Sequence, residues 1–287
     1  MKKAILIITL LYSTQLIAQK PTGTESSDPW AQQINKVVGS YLGTGNGALA
    51  IGFIRKGKQQ ILYFGKKSDK KNLLPDGADI FEIGELTETF TSILLADEAI
   101  KGEMRIDGSL GDYLNKDVPA PVYQPFVCKP IDLGTDNDYF NNNDDLKIKF
   151  RPIMCLPDSS SKPQPVLLCY LATHTSGYPD LPFNIHSKDP DQPLADYSKE
   201  DLYTFLKGFV IENPIGFDYK YSRLGIALLG EAISVYKKKD FETVLVKGVL
   251  DSLKMTDTRI TLDPLRTKRL LQGFDKNGKK AKATSYK

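Results

Sequence analysis

The stretch Phe81-Glu-Ile-Gly-Glu85-Leu-Thr-Glu88-Thr-Phe-Thr91, continuing through Leu94-Leu-Ala96 to Lys101-Gly102, decides how the chain is read. Phe90, Ile93, Leu94 and Ala99 or Ile100 recur at helical spacing and form one apolar face. Glu85 and Glu88 fall in the first turn, where carboxylates complement the helix dipole, and Gly102 suits the stop. The reading is a helix over 85–101 with two carboxylates, three residues apart, on one face of its start.

Upstream, the apolar run from Gly47 to Ile54, then Arg55-Lys56-Gly57-Lys58, then Gln60 to Phe64 reads as two strands around a glycine-containing turn. Before it, Ile34, Val37, Val38 and Tyr41 mark a helix over 30–41. The chain opens with Lys2-Lys3, a short apolar run from Ala4 to Tyr12 and the small-residue site Leu16-Ile17-Ala18, so residues 1–18 read as a secretory signal. That run is too short to span a bilayer, and no stable membrane anchor is expected. The expected location is therefore periplasmic or extracellular.

Downstream, Met104 to Leu114 is followed by a stretch over 118–165 rich in Pro, Asp and Asn, read as an irregular insertion, elaborated or partly disordered. Its acidic tract Asn141-Asn142-Asn143-Asp144-Asp145 lacks the glycine-centred spacing of a calcium loop, so no metal is expected there. Helical patterns resume over 166–172, 199–209, 224–236 and 241–253, and the tail over 275–287 is short and basic. With no internal repeat, and helices gathered after an N-terminal hairpin, the fold class is α+β. The domain is expected to cover 19–274.

Charge and cysteines narrow the function. Setting Lys2 and Lys3 aside, 36 basic residues (38 less two) face 35 acidic ones, which is no footprint for nucleic acid. The lysine clusters at 66–67, 70–71, 237–239 and 279–280 read as solvated surface. Export permits a disulfide. Cys128 and Cys155 share the insertion and are the expected pair, while Cys169 sits in an apolar helical pattern as a small hydrophobe. No Cys/His spacing suggests zinc or redox chemistry, and no cofactor is expected.

Several blocks in order resemble the serine β-lactamase and penicillin-binding-protein superfamily, especially its class C β-lactamase and D-alanyl-D-alanine carboxypeptidase branch. They are the hairpin, the 81–107 block, Leu171-Ala-Thr-His-Thr-Ser-Gly177, Pro214-Ile-Gly-Phe-Asp-Tyr-Lys-Tyr-Ser-Arg-Leu-Gly225 with Leu228-Leu-Gly-Glu231, and Leu253-Lys-Met-Thr-Asp-Thr258. The resemblance implies an antiparallel sheet packed with a helical region. It also implies a serine nucleophile and a lysine, Ser-x-x-Lys, at the start of the 85–101 helix. Matched residue by residue, those positions are Glu85 and Glu88. The family's Tyr-x-Asn is here Tyr221-Ser222-Arg223, so the tyrosine is kept and the asparagine is an arginine. The Lys- or His-x-Gly strand expected near the C-terminus is not found before Lys287, so the last sheet strands are expected to be missing.

The catalytic positions implied by the resemblance are thus Glu85, Glu88, Tyr221 and Arg223, with the motif degraded. The leading expectation is a non-catalytic exported homologue that binds cell-wall peptides, another small acyl ligand or an envelope partner. A second reading is a hydrolase using Glu85 and Glu88 for acid/base chemistry, and a third is a truncated, decayed gene product. The bland alternative for the two glutamates is helix stabilisation plus an ion cluster with Arg223 filling the old site. His174 belongs to a turn motif and is expected to be structural, His186 has no partner spacing, and neither Thr87 nor Ser222 is a convincing substitute nucleophile.

Overall fold

The computed structural model describes residues 29–42, 47–67, 73–130, 153–189, 192–274 and 279–283. The expected signal segment, the Asn/Asp tract and most of the basic tail lie outside these residues. The chain divides into two compact units, one built from residues 1–81 and 267–283 and the other chiefly from 82–266.

The first unit holds helix α1 (Pro29–Leu42) and the antiparallel pair β1 (Ala48–Arg55) and β2 (Lys58–Gly65). Pairing runs unbroken from Ala48↔Gly65 to Arg55↔Lys58. The two residues between the strands, Lys56 and Gly57, both have positive φ, at 47° and 74°. A two-residue turn of that handedness matches the right-handed twist of the strands, which is why the hairpin closes there. At its open end a side chain on Gly65 would come within 2.0 Å of the Gly47 carbonyl oxygen, so only glycine fits. No residue of either strand is fully buried. A short parallel bridge joins Ile80 to Leu270, with hydrogen bonds of 2.9 Å from Ile80 N–H to the Arg269 carbonyl and from Leu271 N–H to the Ile80 carbonyl.

The second unit carries the core. Its helices are α2 (Leu86–Ile100), α3 (Leu110–Tyr113), α4 (Leu168–Ala172), α5 (Lys199–Gly208), α6 (Arg223–Lys237), α7 (Phe241–Leu245) and α8 (Pro264–Thr267, whose last residue falls in the first unit). A π-helical turn, Val246–Leu250, continues α7. Helix α6 is the hub. It buries Leu224, Ile226, Leu228, Leu229, Ala232 and Ile233 and packs against α2, α3, α4 and α7. Tyr178, Phe209 and Phe205 form a stack with centroid separations of 5.3 and 4.9 Å.

Two differences from the sequence reading concern helices. Helix α2 buries Thr91, Leu94, Leu95 and Glu98, whereas Ile93 and Ile100 are exposed. The helix is apolar around most of its circumference, so spacing alone offers more than one face, and packing against α6 selects among them. The single helix expected over 241–253 is instead α7 followed by the wider π turn. Gly248 explains how that turn approaches α2 closely, since a Cβ there would sit 2.7 Å from Leu94 Cδ1.

The insertion contains short paired strands, β3 (Val122–Tyr123) with β6 (Gln164–Pro165) and β4 (Phe126–Pro130) with β5 (Ile153–Pro157). Cys128 and Cys155 lie directly opposite each other in the second pair and form the expected disulfide, leaving Cys169 free and half-buried. Among the described residues the sheets are three separate two-stranded antiparallel pairs, so the fold is α+β. No described helix is long and apolar enough to cross a membrane.

Candidate active site

Gly84 takes a positive φ of 53° and swings the chain into α2. Glu85 is the N-cap, one residue outside the helix, and its side chain makes no capping hydrogen bond. Its carboxylate is exposed. Glu88 lies one turn further on and is half-buried, with a carboxylate that meets donors on both oxygens. Tyr221 donates its hydroxyl proton to Oε1 at 2.7 Å, and Nε2 of His174 lies 3.4 Å from Oε2.

His174 is held from its other side. The Ser222 N–H donates to Nδ1 at 3.2 Å. With Nδ1 accepting, the neutral ring carries its proton on Nε2, facing Glu88. The ring also packs at 4.7 Å on Tyr221 and edge-on at 5.6 Å on Tyr219. Its backbone has a left-handed φ of 57°, the mark of a tight turn, and its carbonyl accepts from Lys220 N–H at 2.8 Å. His174 is therefore the turn residue the sequence reading expected and also a direct neighbour of Glu88. The two are far apart in sequence, and no local spacing signalled the contact.

Ser222 is fully buried. Its hydroxyl donates to the Pro179 carbonyl at 2.7 Å and accepts from Gly225 N–H at 2.8 Å, capping α6. The proton of this hydroxyl is committed to a backbone carbonyl, and the side chain serves as a helix cap. Thr87 contributes its backbone carbonyl to Thr91.

The expected ion cluster of Glu85 and Glu88 with Arg223 does not form as such. Arg223 pairs two-pronged with Asp180, its Nε donating to Oδ1 at 2.8 Å and an Nη to Oδ2, while its backbone N–H also reaches Oδ1 at 3.2 Å. A planar guanidinium fork matched to one carboxylate outcompetes a looser arrangement with two. Asp180 is held below the usual carboxylate range by this partner, and Arg223 is correspondingly stabilised in its charged form. Glu85 still acts on Arg223 through space. Asp180 lies outside every motif in the chain, so sequence reasoning missed it.

The Tyr221 hydroxyl is pushed above its ordinary range, first by burial, then by the hydrogen bond and negative charge of Glu88, with Glu85 adding to the effect. A phenol in that state is a committed donor and a poor proton acceptor. The one carboxylate–imidazole contact in the constellation, Glu88 to His174, is the arrangement closest to acid/base machinery. Among the described residues no group of His, Cys, Asp and Glu side chains is arranged to hold a metal ion.

The fold and the order of its motifs place the chain in the serine β-lactamase and penicillin-binding-protein superfamily. A sequence profile described as Beta-lactamase matches residues 34–286, and the chain belongs to that family. A β-lactamase of Providencia stuartii is 26% identical over 77% of this chain and 44% of its own length. One of Lysobacter lactamgenus is 22% identical over 80% of this chain and 47% of its own. The solved β-lactamase/D-alanine carboxypeptidase of Yersinia pestis superposes with a TM-score of 0.64 at 22% identity, over 86% of this chain and 60% of that one. The D-alanine carboxypeptidase of Burkholderia cenocepacia gives 0.62 at 21% identity, over 90% and 58%. The chain thus spans about half the length of the curated relatives it matches.

Proposed function

We propose that this chain is a non-acylating member of the family, acting outside the cytoplasm, whose site binds a cell-wall-type peptide through an amine without hydrolysing it. One observation carries the reading. The side chain at the family's lysine position is a carboxylate, and it already takes the Tyr221 proton at 2.7 Å. The serine position has no hydroxyl, the tyrosine is locked as a donor, and the buried Ser222 is used as a helix cap.

The same geometry sets the sign of the ligand. Arg223 is paired with Asp180, so Glu85 and Glu88 leave the site with excess negative charge beside the Tyr221 ring. Carboxylates next to aromatic faces favour an alkylammonium over a carboxylate group. The direct test has two arms. Intact mass after incubation with a fluorescent penicillin is expected to show no adduct, and a covalent adduct would overturn the non-acylating reading. Calorimetry with a cell-wall peptide bearing a free amine, against its N-acetylated twin, is expected to show about fivefold weaker binding of the acetylated form, equivalent to roughly 1 kcal/mol for a partly exposed charge pair. Equal binding would overturn the amine assignment. Turnover of an activated ester with a bell-shaped pH profile that Glu88→Gln abolishes would instead favour the hydrolase reading, for which the Glu88–His174 contact speaks.

A further inference from the structure

Away from this site, the second unit has a recess where α2, α6 and the π turn meet. Lys101, Lys237, Lys239 and Lys247 converge on it, and Glu98 is the only acidic side chain in its wall. Glu98 is almost fully buried and already engaged. Its Oε2 accepts from Lys237 Nζ at 2.7 Å, and its Oε1 lies 3.8 Å from Lys101 Nζ. Lys101 is further tied to Asp97, and Lys237 lies 3.8 Å from Glu103. Two of the four lysines are therefore satisfied within the protein.

The other two are not. Lys239 and Lys247 are exposed at the mouth of the recess, and neither forms an ion pair or side-chain hydrogen bond among the described residues. Their positions are set by unusual backbone. Lys238, the C-cap of α6, adopts a left-handed φ of 52°, a conformation costly for a residue with a Cβ, and Lys239 follows it with its N–H on the Ser234 carbonyl at 3.2 Å. Lys247 is carried by the π turn, a rare geometry that recurs at functional sites, and Gly248 is what brings that turn against α2. Offsetting the carbonyl ends of α2 and α6 accounts for cations near these helix ends, and Lys101 and Lys237 fill that role. Lys247 lies in the last turn of the π-helical segment that continues α7. With Asp97, Glu98 and Glu103 set against Lys101 and Lys237, Lys239 and Lys247 remain as the two cations at the recess without a carboxylate partner among the described residues.

We infer that this recess is a binding site for a phosphate-type oxyanion, held between the Nζ groups of Lys239 and Lys247 over the floor formed by Lys101, Lys237 and Glu98. Ammonium groups suit such a group as point charges and need no planar recognition. The oxyanion could be free or carried on a phospholipid headgroup, and the chemistry at the recess is the same. The site is independent of the Glu85–Glu88 constellation and does not rest on the function proposed for it.

Inorganic phosphate is the first probe. Titrated into the whole protein at fixed ionic strength, it is expected to give saturable chemical-shift changes at Lys247 and Gly248, with sodium chloride as the control. Lys239→Ala with Lys247→Ala, both exposed positions, is expected to weaken binding by about tenfold or more while leaving the melting temperature without phosphate unchanged. A charge-preserving pair, Lys239→Arg with Lys247→Arg, is expected to retain binding. Shifts that chloride reproduces, or phosphate affinity equal in the alanine and parent proteins, would overturn the site. Sedimentation with vesicles containing phosphatidic acid then separates the sources. Co-sedimentation lost in the alanine pair assigns a headgroup, and phosphate binding without co-sedimentation assigns a free ion.

Discussion

The corner formed by 173–177 and 221–225 and the turn over 84–88 sit side by side, yet they differ in how far the fold depends on them. In the corner Ser176 and Ser222 are buried, Ser222 bridges Pro179 and α6, and Gly177 has a left-handed φ of 76° with Ile211 and Ile215 where a Cβ would stand. In the turn Glu85 is exposed, and its side chain does not cap the helix it precedes. The corner is fixed by buried shape and hydrogen bonds, whereas Glu85 stands where a side chain can be exchanged with little effect on packing.

The largest expected effect comes from disturbing the corner. In Gly177→Ala the new methyl meets Ile211 Cγ2 at 2.9 Å and Ile215 Cγ2 at 3.2 Å, in a backbone conformation that alanine resists. Overpacking and a left-handed alanine together are expected to destabilise the protein by about 2–4 kcal/mol in urea unfolding. A loss no greater than that of an ordinary surface change would break the contrast between the two regions.

An intermediate effect is expected where the regions touch, at Tyr221. Removing its hydroxyl in Tyr221→Phe takes a hydrogen-bond donor from the Glu88 carboxylate and is expected to cost about 1–2 kcal/mol near neutral pH. Because the folded phenol holds its proton more tightly than the unfolded chain, this stabilisation is fully present below pH 10, the phenol's ordinary value, and is lost as pH rises beyond it. Parent and variant are therefore expected to converge in stability as the pH climbs from 9 to 12, read by urea midpoints. A gap that widened instead would reverse the assigned direction of the shift.

The smallest effect belongs to the turn itself. Glu85→Ser places a hydroxyl at the N-cap of α2 and is expected to change stability by no more than about 0.5 kcal/mol. It is also expected to bring no esterase activity, since Glu88 supplies no lysine and Tyr221 remains a donor. Activity appearing in this variant alone would show that the neighbouring carboxylate can serve as the base.

Much of this was legible beforehand, for identifiable reasons. The hairpin was readable because Lys56-Gly57 carries its own turn geometry, and the Cys128–Cys155 pair because both cysteines fall in one segment. The start of α2 was readable to within one residue. What escaped depended on contacts between distant segments. Nothing local announces that Asp180 captures Arg223, that His174 turns Nε2 towards Glu88, or that α7 widens into a π turn against Leu94. Each is decided by which of several acceptable partners the packing brings near.

The single tryptophan, Trp30 of α1, belongs to the first unit, while the core clustered around α6 contains none. Intrinsic emission excited at the red edge is therefore a local optical probe of α1 and is blind to the helical core. Rings such as Tyr178, Phe205 and Phe209, stacked inside that core, make near-ultraviolet dichroism the natural signal for its melting. One sample heated once thus carries two spectroscopic records, one for each unit.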